Sequence, residues 1–108
     1  MIKTIDELLD KLDSEGVVTA GIRCYLGWYR EDAQKEAELT GDPYRIAELL
    51  RTRDKKMNHK YYIDGVLDAL ITMEVIGVQE KHVIMTDLES AEKGLVNSEK
   101  KREEKQWT

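Results

Sequence analysis

Ile5, Leu8, Leu9 and Leu12 stand at i, i+3, i+4 and i+7, one apolar stripe on a short helix. Thr4-x-x-Glu7 reads as a capping box at its start, with Asp6 and Glu7 at the positive end of the dipole. Gly16 is placed to close it. A second helix is predicted from near Thr19, with Ile22, Tyr25, Leu26, Tyr29, Ala33 and Ala37 in period and Gly41 at its end. Asp42-Pro43 has the form of an N-cap followed by proline at the first helical position. A third helix is therefore predicted over 43–76, about 50 Å long if unbroken, with a kink near Asn58 as the alternative.

So short a turn makes the second and third helices antiparallel neighbours. Pairing them about it sets Glu38 near Arg45, Asp32 near Arg51, Leu26 near Met57 and Ile22 near Tyr61. After Gly77 the pattern weakens. Val83-Ile84-Met85 is a short apolar run, and Thr86-x-x-Glu89 suggests a second capping box opening a short fourth helix. From Asn97 the chain is charged and polar. The reading is an all-α fold: a long antiparallel helical hairpin with a short N-terminal helix, a single domain over 1–96 and a charged, partly flexible tail over 97–108.

Composition supports helices over sheets. Charged residues make up 36% of the 108 positions and aromatics 6%, with one proline and no phenylalanine. The net charge of −5 argues against a general nucleic-acid binder, whose affinity comes from neutralising phosphates. The single Cys24 points to a reducing, cytoplasmic setting. No signal sequence and no membrane span are expected, and the chain reads as a complete small reading frame. Cys24, His59 and His82 are not spaced as metal ligands. No cofactor is expected. The basic residues from Arg51 to Lys60 point around the helix and are read as partners for acids, not as one patch.

The apolar stretch Ile63 to Ile76 extends past the end of the second helix in this register. The expectation is that it is left partly uncovered and meets a protein partner or a second copy. Trp28, Tyr62, Ile63, Leu67, Leu70 and Ile71 are the positions expected at that interface, Trp and Tyr being favoured anchors.

Two resemblances add to this. Tyr61-Tyr62-Ile63-Asp64-Gly65-Val66-Leu67-Asp68-Ala69-Leu70 resembles the acidic helix of the all-α nucleotide pyrophosphohydrolases, the MazG and dimeric dUTPase group. That resemblance implies Mg²⁺ held by carboxylates from two helices, here Asp64 and Asp68 with Glu31, Asp32 or Glu36. The chain has Asp-x-x-x-Asp where that group has Glu-x-x-Asp, and lacks its Glu-x-x-Glu step. The short acidic frame, the stretch from His59 to Leu70 and the charged tail are similar to small helical accessory proteins of phages and mobile elements. This implies a non-enzymatic protein that binds and blocks or redirects a host or phage protein, including inhibitors of CRISPR-type defence. It is the leading expectation, with the pyrophosphohydrolase as the alternative.

Overall fold

The structure, a computed structural model, describes residues 1–106, with side chains for residues 1–94. The protein is all-α. Its helices are α1 (Ile5–Ser14), α2 (Ala20–Leu39), α3 (Ile46–Thr72) and α4 (Val78–Gln106), and no strand occurs among the described residues.

Each helix start and stop has a local cause. The Thr4 hydroxyl accepts from the Glu7 amide at 3.1 Å, as a capping residue should. At the other end of α1, Gly16 takes a φ of 82°. Its amide donates to the Asp13 carbonyl at 3.1 Å, and the Val17 amide donates to the Leu12 carbonyl at 2.9 Å. This is a Schellman closure with glycine in the left-handed position. α3 ends by the same motif on a less suitable residue. The Glu74 amide donates to Ile71 at 3.0 Å and the Val75 amide to Leu70 at 2.9 Å. Glu74 is held at a φ of 61°, where a side chain costs about 1–2 kcal/mol. Val75 and Leu70 are both partly buried against the core, and this contact offsets the strain.

α3 is therefore shorter than the expected 43–76. At its start, Asp42 does not cap the helix. Its carboxylate accepts from the Tyr44 amide at 2.9 Å and its carbonyl from the Arg45 amide at 3.3 Å. Asp42-Pro43 thus builds a separate turn, and α3 begins only at Ile46. It then runs unbroken through Asn58, so the kink does not occur.

Successive helices run antiparallel. Arg30 meets Asp6 at 2.7 Å and Arg23 meets Asp13 at 2.5 Å, tying α2 to α1. Lys35 meets Glu48 at 3.1 Å and His59 meets Asp32 at 2.8 Å, joining α2 to α3. Lys60 meets Glu89 at 3.1 Å and Lys81 meets Asp64 at 3.0 Å, joining α3 to α4. The hairpin register differs from the expected one. Asp32 pairs with His59 instead of Arg51, and Tyr25 stacks on Tyr62. Lys35–Glu48, near the turn, keeps the expected pairing, whereas Tyr25 meets a residue about one helical turn further along α3 than expected and Asp32 one about two turns further.

The largest departure is α4. It is a long helix from Val78, not a short one from Thr86, so Val83-Ile84-Met85 lies inside it. The expected boundary at residue 96/97 falls within this helix, where side chains lie outside the described residues, as do residues 107–108. α4 packs against α2 and α3 with Ile84 and Leu88 fully inside. Together with Ile5, Leu8, Leu9 and Leu12 of α1, these side chains enclose Leu26, Tyr29, Ile63 and Leu67. Each such aliphatic side chain stabilises the fold by about 1.5–3 kcal/mol.

The stretch expected to lack cover is therefore covered in large part within one chain, with Met73 left exposed. Ile63 and Leu67 have no exposed surface, and Leu70 and Ile71 pack against the same core. Ile63 and Leu67 are thus core residues, and Leu70 and Ile71 keep only part of their surface open. α4 is longer than its periodicity predicts and reaches them.

Candidate functional site

Two clusters flank the α2–α3 hairpin on opposite sides. The inner one faces α4. Lys56, near the middle of α3, is 7% exposed. Its ammonium meets Glu36 of α2 at 2.5 Å and is bonded to Glu92 of α4. The Tyr29 hydroxyl donates to the other Glu92 oxygen at 2.6 Å, and Arg53 reaches Glu36 at 3.0 Å. Burial pulls the Lys56 ammonium down, but its bonds to Glu36 and Glu92 outweigh that, and the net shift is upward. Burial pushes the Glu92 carboxyl up, and Lys56 and Tyr29 more than reverse it. Burial first, then the neighbouring Glu92, drives the Tyr29 phenol well above its ordinary value. One lysine thus holds three helices together through charge-assisted bonds.

The outer cluster points away from α4. Tyr25 and Tyr62 stack with ring centroids 3.7 Å apart and planes at 14°. Trp28 meets the edge of Tyr25 at 5.1 Å and lies tilted against His59 at 5.6 Å. His59 in turn bonds through Nδ1 to Asp32 at 2.8 Å. Tyr25, Trp28 and Asp32 share one face of α2 because they are three and four residues apart, and His59 and Tyr62 do the same on α3. Trp28 is 46% exposed and Tyr62 is 40% exposed. The result is a pre-assembled platform of aromatic rings, edged by a hydrogen-bonded imidazole, open to solvent.

Of the six expected partner positions, Trp28 and Tyr62 lie on this platform, while Ile63, Leu67, Leu70 and Ile71 turn inward. Tyr25, His59 and Asp32, outside those six positions, join the platform. Their signal was the three- and four-residue spacing, which is visible in the sequence. Which face of α3 meets α2 is not visible there, and that decides the cluster.

The carboxylates suggested for Mg²⁺ do not come together. Lys81 spans Asp64 at 3.0 Å and Asp68 at 2.5 Å. Asp32 is bonded to His59, Glu36 to Lys56 and Arg53, and Glu31 is exposed on another face. Among the described residues, no group of three or more His, Cys, Asp or Glu is placed to hold a metal ion. The basic run separates as its spacing implied. Arg53, Lys56 and Lys60 pair with acids of α2 and α4, and Arg51 and Lys55 remain exposed. Cys24 is an exposed free thiol. Among the described residues, no helix is long and apolar enough to cross a membrane.

An all-α fold with an exposed aromatic platform is the class these observations define. Compared with known family models, curated proteins and solved structures, the chain matches none of them at a significant level.

Proposed function

We propose that this chain is a non-enzymatic helical interaction protein. It docks a protein partner through the platform formed by Tyr25, Trp28, His59 and Tyr62. Its mode of action would be that of small phage-encoded accessory proteins, which block or redirect a host protein by occupying its surface; inhibition of a bacterial defence system falls within this reading.

The observation that supports it is the exposed, pre-stacked aromatic cluster. Trp28 and Tyr62 keep 46% and 40% of their surface exposed while the cluster stacks across the hairpin. They are the residue types that supply most of the binding energy when a partner covers them. Because the rings are already locked against one another and His59 is fixed by Asp32, docking would cost little side-chain entropy.

The test compares the intact protein with Trp28→Ala and Tyr62→Ala in affinity capture from a nuclease-treated bacterial lysate. One stoichiometric protein retained by the parent and lost by both variants is the expected result. An identical set of retained proteins for all three would overturn the assignment of the platform. Circular dichroism of the variants should match the parent, since both side chains lie outside the core.

A further inference from the structure

The face of α3 turned away from the platform carries a second run of exposed apolar side chains. Ile46 is 54% exposed, Leu50 53%, Met57 37% and Tyr61 63%. At about 100° per residue these four positions fall within about 60° of one another around the helix. They form a stripe about 22 Å long. The rest of the described residues leave these fractions of it open to solvent. From these observations we infer that the stripe is the contact between two copies of this chain, paired antiparallel along α3 about a two-fold axis.

Three features select a second copy. The first is spacing. Reading from Ile46, the steps are four, seven and four residues, and they read the same from Tyr61. The midpoint lies between Arg53 and Asp54. An isologous contact requires a surface complementary to itself, and an antiparallel pair centred there sets Ile46 against Tyr61 of the other copy and Leu50 against its Met57. The second feature is where the stripe stops. Asp64 and Asp68 continue the same face one and two turns past Tyr61. A parallel pair would set each Asp64–Lys81–Asp68 group, which carries a net negative charge, against its own copy. The antiparallel pair places both aspartates beyond the start of the opposing helix at Ile46 and avoids that repulsion.

The third feature is shape. Beside Tyr61 a concavity of about 240 Å³ opens between α3 and α4, lined by Met57, Lys60, Tyr61, Asp64, Met85 and Glu89. In the antiparallel register it faces Ile46 of the other copy, with Tyr44, 95% exposed, just ahead of that helix. Met57 and Met85 line this site, and methionine adapts to an incoming side chain more readily than a branched residue does. At the centre, Arg53 is held by Glu36 of its own chain, which keeps its guanidinium to the side of the seam. Because two copies must meet, assembly should depend on concentration. Because His59 and Tyr62 lie on the far side of α3, such a dimer presents two platforms facing outward.

Sedimentation velocity across a concentration series of the full chain tests this. The expected result is a monomer–dimer equilibrium, shifted to monomer at every concentration by Leu50→Asp and by Met57→Asp. Helical content should be unchanged, since both positions are exposed. Monomer throughout for the parent would overturn the inference, as would a dimer that survives both substitutions. Orientation is read by disulfide formation in a Cys24→Ser background. Mixing Leu50→Cys chains with Met57→Cys chains should give cross-linked heterodimer in preference to either homodimer. Preferential Leu50→Cys homodimer would overturn the antiparallel register. Trp28→Ala should leave every one of these results unchanged, which separates this interface from the proposed platform.

Discussion

The two ends of the bundle are built differently. At one end α1 packs alongside the other helices, and apart from the buried Thr19 hydroxyl the interior is apolar: Leu8, Leu67, Ile63 and Ile84 are all fully buried. At the end nearer the α2–α3 turn, α1 is absent, and the interior contains a lysine, two glutamates and a tyrosine hydroxyl. The first end is held by non-directional burial, which tolerates small shifts between helices. The second is held by bonds of fixed length and direction among α2, α3 and α4, which set the position of α4 along the hairpin. The contrast suggests a division of labour: the apolar end supplies most of the stability, and the polar end sets register.

The strongest test of that division is in the apolar end. Leu67→Ala should destabilise the protein by about 4 kcal/mol, within the usual range for a large core side chain. Urea unfolding at neutral pH reads this directly, and a loss under 1 kcal/mol would show that the apolar end is not the main source of stability. Next is Lys56→Ala, which leaves Glu36 and Glu92 close together without their shared cation. A loss of about 3 kcal/mol is expected, at the lower edge for breaking a buried pair because Glu92 keeps some exposure. Lys56→Met combined with Glu36→Gln and Glu92→Gln should recover part of that loss. No recovery would mean that the charges themselves, and not their unpaired remnants, hold this end.

The smallest effect is on pH dependence. The Glu92 carboxyl is held below its ordinary value when folded, so its contribution is present above about pH 4.3 and is lost as pH falls through the lowered value. The Lys56 ammonium is held above its ordinary value, so its contribution is complete below about pH 10.4 and is lost as pH rises through the raised one. Tyr29 acts in the same alkaline direction, because the folded protein keeps a phenol proton that the unfolded chain releases. Unfolding midpoints measured from pH 2 to 11 should decline at both ends. The acid decline should be smaller in Glu92→Gln. An acid limb identical in parent and variant would remove Glu92 from the account.

Much of the fold could be read in the sequence, and the misreadings share a cause. The stripe of α1, the Thr4 cap and the Gly16 closure depend on residues a few positions apart, and all three stand as expected. Asp42-Pro43 can cap a helix or close a turn, and the choice, here a turn, depends on how far the chain must travel before α3 meets α2. α4 is longer than its weak helical pattern predicts. Its burial comes from spaced single residues such as Ile84, Leu88 and Glu92, which gain meaning only beside α3. The candidate site divides in the same way. Trp28 and Tyr62 are legible as anchors by residue type, whereas nothing local tells that α1 and α4 reach Ile63 and Leu67.

By itself, then, the sequence determined what depends on the helical repeat: the class of fold, three of the helices to within a few residues, and the faces on which Tyr25, Trp28 and Asp32 fall together. Tertiary structure decided what depends on distances between helices. It set the register of α2 on α3, which stacked Tyr25 on Tyr62. It brought Glu92 to Lys56 across three helices. It turned an apolar stretch that looked exposed into the core, while leaving Ile46, Leu50, Met57 and Tyr61 outside. The physical reason is that periodicity constrains angle around a helix axis, whereas burial depends on which neighbour arrives, and neighbours are chosen by loop length and by the sum of many weak contacts.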